Sequence, residues 1–316
     1  MEHGKTAPGA NILSLFPEYD WTIKDNPELA RICEKLFNVR GKRVHPAKDD
    51  KILTDWNGLM IAAMAKGYQV LGHRPYLDVA QKTADLIRNK LVKKGKLLHR
   101  YREGEGALLA TLNDYAFLIY GLIELFEADD DPRWLSWGSQ LQEEQDQLFW
   151  DEKNGGYFLT AADSPDLIVR SREFYDGVMP SGNSVAVSNL LRLNALTYEA
   201  KYRDRAGKLL GLFPFHQHPA GFPQALMALD SYLGGLKEVA VVGDEKSPSF
   251  LEMKRFLHQT FLPHVVTAMG SEGGIPLLEG KIAVNGQTTV YVCQGGSCLK
   301  PLTDLEESKK LILDQK

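Results

Sequence analysis

Two short stretches of this chain hold more carboxylates, amides and aromatics than helix capping needs. "KDDKILTDWNGLM" (48–60) sets Asp49, Asp50, Asp55, Trp56 and Asn57 before and at the head of an apolar helical pattern. "REFYDGVMPSGNS" (172–184) places Phe174, Tyr175, Asp176, Ser181 and Asn183 in the same relation to a later helix, and "NDYAFL" (113–118) adds Asp114 and Tyr115. An Asp, Ser, Thr or Asn at a helix start is an ordinary N-cap worth about 1 kcal/mol. Thr54, Asp55, Thr111, Asn113, Ser181 and Asn183 all qualify. Capping needs one such residue per helix, so the surplus points to a polar site. Its chemistry suits a carbohydrate. Trp56, Tyr115, Phe174 and Tyr175 offer faces on which a sugar ring can stack, and Asp49, Asp50, Asp55, Asp114 and Asp176 offer a paired acid and base. No carboxylate separation can be read from the sequence, so inversion and retention both stay open.

Other reactive side chains form weaker patterns. His99 lies in an expected β excursion, "LLHRY", and His216 and His218 form an H-x-H with no third ligand at suitable spacing. No metal and no cofactor is therefore expected. Cys293 and Cys298 could form a disulfide or half of a metal site; without a second cysteine pair, free thiols are the expectation. G-x-S-x-G, the P-loop and G-x-G-x-x-G are absent.

The elements that must position these residues repeat. Leu53, Trp56, Leu59, Met60, Ala63, Met64, Tyr68 and Leu71 recur at helical spacing, Gly72 closes that helix, and a second helix runs from Tyr76 to about Lys93. The same helix–turn–helix pattern returns over 113–149 and 179–213, with a weaker unit from Phe222. Aligning Tyr76, Trp134 and Tyr202 gives a period of about 58–68 residues. Such a repeat predicts a closed or partly closed array of helical hairpins. In register, Trp56–Asn57, Asp114–Tyr115 and Gly182–Asn183 all precede a first, more apolar helix, so their side chains should gather at one end of the array. Short β segments are expected at 96–111 and 154–160. After Lys237, "EVAVVGD", a helical stretch at 248–261 and "HVVTAMG" read as β-α-β with two parallel strands. "TVYVCQ" reads as a further strand, followed by a charged helical tail.

Bulk properties exclude several classes. With 316 residues, 44% apolar and 25% charged, the chain has the composition of an ordinary globular protein with room for a full core. A net charge of −4 gives no general affinity for nucleic acid or anionic membranes. No apolar run reaches the roughly 18–20 residues of a membrane span, and "MEHGKTAPGANIL" lacks the apolar core of a signal peptide. Three cysteines fit a reducing, cytoplasmic setting.

Four stretches, "DDKILTDWNGLMIAAMAKGYQVLG", "LNDYAFLIYGLIELFEAD", "DGVMPSGNSVAVSNLLRL" and "YVCQGGSCLKPLTDLEE", resemble in order the C-terminal half of the YyaL and spermatogenesis-associated protein 20 family. The resemblance runs from about Asn11 to Glu307. It implies a mainly α fold: an α/α toroid similar to N-acylglucosamine 2-epimerases and six-hairpin glycosidases, joined in the family to an N-terminal thioredoxin-like domain. The family pattern matches at Asp49, Asp50, Lys51, Trp56, Asn57, Asp114, Tyr115, Asp176, Pro180, Ser181, Gly182, Asn183 and Ser184, which are carried over as pocket candidates. Two departures follow. The thioredoxin-like domain is missing, and seven or eight helices are expected where a six-hairpin ring has twelve. A partial α/α toroid over 1–236, with the β-α-β element and C-terminal tail at 237–316 packed on it, is the expected organisation. Exposed inner-helix faces would then favour self-association or a chain that supplies the missing half.

The resulting expectation is a carbohydrate-related enzyme of the glycoside hydrolase or sugar isomerase/epimerase type. Asp55, Asp114 and Asp176 are its catalytic carboxylates. Asp49, Asp50, Lys51, Trp56, Asn57, Tyr115, Tyr175, Ser181 and Asn183 are its substrate contacts. Sugar 2-epimerases of the resembled fold work through histidines on inner helices; no expected inner helix here starts near one, which favours carboxylates. The alternatives are a non-catalytic ligand-binding or scaffold module that works with a thioredoxin-like domain, and a redox role for Cys293 and Cys298.

Overall fold

The computed structural model describes residues 26–164, 169–271 and 273–314; the N-terminal stretch read above lies outside them. The chain divides into two compact units, Met1–Asp50 and Lys51–Lys316. In the first, helix α1 (Pro27–Arg40) is capped by Asn26, whose side chain accepts from the Glu28 and Leu29 N–H groups, and Pro27 sits at its first turn.

The second unit is built of helical hairpins. Helices α2 (Thr54–Leu71) and α3 (Arg74–Lys90) form the first, α4 (Leu112–Asp129) and α5 (Pro132–Phe149) the second, and α6 (Gly182–Thr197) and α7 (Ala200–Leu210) the third. A single helix, α8 (Pro223–Gly234), follows in place of a fourth hairpin. The sequence period appears as geometry. The first helix of each hairpin ends on a left-handed residue, Gly72 (φ 66°), Asp130 (φ 59°) and Tyr198 (φ 60°). Only the first of these is the glycine that such a cap prefers. Ten α-helices are described, and α2–α8 supply seven to the hairpin array, for which seven or eight were expected. Helix α1 and the short tail helix α10 (Leu305–Leu313) stand outside the repeat.

A small antiparallel sheet sits beside the first two hairpins. Strand β1 (Ile52–Leu53) pairs with β3 (Lys96–Arg102), placing Leu53 opposite Arg100; β2 (Val92–Lys93) and β4 (Glu105–Leu109) also pair with β3. The strand expected at 154–160 is reduced to a single bridge between Trp150 and Tyr157. The Asn183 side chain explains this: its amide accepts from the Tyr157 N–H (2.9 Å) and donates to the Tyr157 carbonyl (3.0 Å), taking the backbone groups a neighbouring strand would use.

The β-α-β element forms as expected. Strands β5 (Lys237–Val242) and β6 (Val265–Gly270) are parallel, joined through α9 (Pro248–Gln259). Strand β7 (Thr289–Gln294) lies antiparallel to β5, and β8 (Ser297–Cys298) closes a hairpin on β7. Alternation along β5 divides two cores. Val239 and Val241 pack with Phe250, Met253, Leu257 and Ile312, while Ala240 and Val242 join the core of the helical hairpins. The cysteine expectation is overturned: Cys293 and Cys298 form a disulfide. They stand directly opposite each other in the β7–β8 ladder, a pairing that a two-residue turn imposes. No helix among the described residues is long and apolar enough to cross a membrane.

Candidate functional site

The first two hairpins meet at glycines. A Cβ on Gly58 would lie 2.5 Å from the Phe117 carbonyl carbon, and one on Gly121 would lie 2.4 Å from the Gly58 oxygen. Only hydrogen at both positions lets the backbones of α2 and α4 touch. That contact brings the starts of the two helices together. The Asp55 N–H, in the first turn of α2, donates to Asp114 Oδ1 at 3.1 Å. Strand β3 arrives from the side, fixed by its pairing with β1 and by the Thr54 hydroxyl, which donates to the Leu98 carbonyl at 2.6 Å. The next residue along β3 is His99.

The result is a cluster of two carboxylates and an imidazole. His99 Nδ1 lies 2.9 Å from Asp114 Oδ1 and 3.0 Å from Oδ2. Asp114 is fully buried, and its Oδ2 also accepts from the Thr111 N–H (2.7 Å) and hydroxyl (3.0 Å), closing a capping box on α4. Asp55 is buried too, and its Oδ1 accepts from the Trp56 N–H at 2.8 Å. One ligating atom from each of Asp55, His99 and Asp114 lies within 4.8 Å of the other two.

His99 and Asp55 are tuned by this setting. The hydrogen bond to Asp114 raises the His99 pKa above its ordinary 6.5, against partial burial and the nearby Lys51 charge. Burial, and then the negative charge of Asp114, raise the Asp55 carboxyl above the usual aspartate value. With Nδ1–H directed at a carboxylate, neutral His99 carries its lone pair on Nε2 and is oriented to take a proton there. Two carboxylates and an imidazole could also ligate a divalent cation. Asp114, however, already accepts from His99, Thr111 and the Asp55 backbone, so a metal would have to displace these donors. The donor set fits proton transfer better than ligation.

The other candidates are distributed as follows. Trp56 is 58% exposed, immediately after Asp55. Asn57 donates to the Leu53 carbonyl. Tyr115 is buried, packs edge-on against Phe149 and approaches Glu144 through its hydroxyl at 3.4 Å; burial holds its pKa well above that of free tyrosine. Lys51 is exposed, and Asp49 and Asp50 are exposed at the end of the first unit. Asp176 does not share a contact with Asp55 or Asp114 among the bonds described. Its Oδ1 accepts from the Ser181 N–H, and its Oδ2 from the Gln224 and Ala225 N–H groups at the start of α8. Ser181 caps α6, and Asn183 clamps Tyr157 and the Glu173 carbonyl. Tyr175 is exposed, edge-on to Phe222. The 172–184 stretch thus spends much of its polarity on holding backbone. His99 is the group that sequence reasoning passed over. Thr111-x-x-Asp114 was readable as a cap, but nothing local announces that β3 pairs beside it.

No protein-family model matches the chain. It is similar to spermatogenesis-associated protein 20 of Homo sapiens, 32% identical over 299 residues, covering 88% of this chain and 38% of that protein. It is also similar to an uncharacterized protein of Caenorhabditis elegans, 30% identical over 292 residues, covering 88% of this chain and 40% of that protein. The chain therefore spans about two fifths of the length of these relatives. Among solved structures it is similar to the cellobiose 2-epimerase from Bacillus thermoamylovorans, with TM-score 0.45, 16% identity, and 54% of this chain and 46% of that chain covered. A GH76 α-mannanase of Bacteroides thetaiotaomicron gives TM-score 0.43 and 13% identity over 73% of this chain and 62% of that one.

Proposed function

The chain belongs, over 88% of its length, to the family of spermatogenesis-associated protein 20, and within that family we propose that it catalyses proton transfer on a reducing sugar, as an isomerase or epimerase does. The observation that carries this reading is the His99 ring held by both oxygens of the buried Asp114, with Asp55 alongside. His99 is the general base, taking the proton from the carbon next to the sugar carbonyl. Asp114 orients the ring and stabilises the imidazolium that forms. Asp55, whose raised pKa favours the protonated acid, donates to the carbonyl oxygen. The exposed Trp56 beside Asp55 supplies an apolar face for the sugar ring.

Glycoside hydrolysis fits these residues less well. It commonly uses two carboxylates about 5 Å or more apart, both available to the substrate. Here Asp114 is committed to His99 and to the cap of α4.

The test is solvent exchange. A panel of reducing mono- and disaccharides is incubated in D2O with the protein, and loss of the proton at the carbon next to the carbonyl is followed by NMR. The wild type should catalyse exchange with at least one sugar. His99→Gln should slow it by about 10²–10⁴-fold with the helical circular dichroism unchanged. Exchange at the wild-type rate in His99→Gln would remove His99 from the mechanism. A sugar that raises the wild-type melting temperature without any exchange would favour the ligand-binding module instead.

A further inference from the structure

The β7–β8 hairpin carries a feature that sugar chemistry does not use. Cys293 and Cys298 are cross-linked where the ladder already pairs them, next to the Gln294–Ser297 pair. The turn between them is Gly295–Gly296, with φ of 57° and 79°, the left-handed geometry that a tight two-residue hairpin turn demands. The hairpin is also held by contacts that do not involve sulfur. Glu238 on β5 accepts from the Gly296 N–H at 3.3 Å, and Gln294 Nε2 donates to the Gly234 carbonyl at 3.0 Å. Beyond Cys298, the Leu299 N–H donates to the Val292 carbonyl, and Val290 and Leu302 exchange both backbone hydrogen bonds. A bond between residues five apart in sequence also constrains the unfolded chain far less than one that closes a long loop. The disulfide is thus poorly placed to act as a structural staple.

Its two ends differ in access. Cys293 is 2% exposed and belongs to the core, whereas Cys298 lies on an exposed edge with Gln294–Lys300 around it. We propose that Cys293–Cys298 is a thiol–disulfide exchange site that opens at Cys298 to an incoming dithiol. A thiolate of the dithiol attacks Cys298 Sγ. The Cys293–Cys298 bond breaks, and Cys293 leaves with the electron pair and takes a proton from solvent. The second thiolate of the dithiol then attacks its own sulfur in the mixed disulfide and releases Cys298. The dithiol is oxidised to a disulfide, the protein pair is reduced by two electrons, and the hairpin keeps its fold throughout.

The experiment is run on the full chain in a Cys33→Ser background, because Cys33 is an exposed free thiol. Folded protein is treated with dithiothreitol, quenched with a maleimide-polyethylene glycol, and read by gel shift. Without reductant no shift is expected. After mild reduction one label is expected, mapped to Cys298 by peptide mass, with a fall in melting temperature of less than about 4 °C. Two single variants separate access from folding. Cys293→Ser should form a mixed disulfide with oxidised glutathione within minutes, and Cys298→Ser should form none until the protein is unfolded. Free thiols in the untreated protein, reduction only above the melting transition, or equal reactivity of the two single variants would each overturn the proposal.

Discussion

The proposed chemistry rests, at the residue scale, on one hydrogen-bonded pair, and pH tests it directly. Asp114 holds the His99 proton more tightly in the folded chain than in the unfolded one, so the folded pKa lies above 6.5. The sign follows from linkage. The pair contributes stability that is fully present below about pH 6.5 and is lost as pH rises through the raised folded value. A base works when neutral, so the acidic limb of the pH–rate profile should fall above pH 6.5 in the wild type. In Asp114→Asn that limb should move to lower pH and the maximum rate should drop. An NMR titration of the His99 ring proton checks the same point without a substrate; a His99 pKa unchanged by Asp114→Asn would sink the assignment. Asp114 itself was legible, because the repeat register sets Asp114–Tyr115 at a helix start in line with Trp56–Asn57, and the structure makes it part of a capping box as well. That this cap also grips an imidazole was not.

At the scale of elements, the site depends on how closely α2 and α4 approach. Gly58 and Gly121 set that distance, since a methyl group at either would meet backbone at about the distance of a covalent neighbour. Gly58→Ala should therefore destabilise the protein by about 1–3 kcal/mol, measured by urea unfolding. It should also lose sugar exchange by parting Asp55 from Asp114. Gly138→Ala is the control: its Cβ would sit 3.8 Å from the Leu122 Cβ, an ordinary contact, so the helix should gain up to about 1 kcal/mol. Equal stability of Gly58→Ala and wild type would mean that something other than these glycines spaces the helices. In the sequence, both glycines read as small interruptions of helical patterns. Their role appears only when two helices cross at that point.

For the second unit as a whole, a buried ion cluster ties hairpins to sheet. Arg192 on α6 pairs with Glu124 at 2.7 Å and Glu127 at 2.6 Å on α4, and Lys66 on α2 reaches Glu124 at 2.9 Å. Glu127 also accepts from the Thr267 N–H of β6. Arg192→Met would keep the apolar stem, leave Glu124 with Lys66 alone and strip the buried Glu127 of its ion pair. A loss of about 3–5 kcal/mol is expected, read by chemical denaturation, with the β-α-β element loosening in hydrogen exchange along with α6. A loss under about 1 kcal/mol would show that the carboxylates rehydrate or protonate at little cost. The cluster lies wholly within the second compact unit, Lys51–Lys316. The composition shifts after Lys237, and the strands beyond it contribute Ala240, Val242, Val266 and Ala268 to the helical core.

The sequence by itself determined the local architecture and the family. Helical spacing of apolar residues, tight turns whose alignment on Tyr76, Trp134 and Tyr202 repeats every 58 and 68 residues, and apolar runs around a helix specify the hairpins and the β-α-β element. These are short-range properties: a helix is chosen by residues three and four apart, and a tight turn by one or two residues. Only the tertiary structure decided which polar groups come together in the candidate site. Asp55, His99 and Asp114 come from a helix start, a strand and a second helix start, and they meet through strand register and a glycine crossing. Asp176, expected alongside them, accepts from the backbone N–H groups of Ser181, Gln224 and Ala225 and shares no described hydrogen bond with Asp55 or Asp114. Cys293 and Cys298 were visible as a pair, but whether two sulfurs bond depends on ladder register, which sets them opposite each other. Local pattern selects elements; contact between distant elements is a property of their packing, and the candidate chemistry lies there.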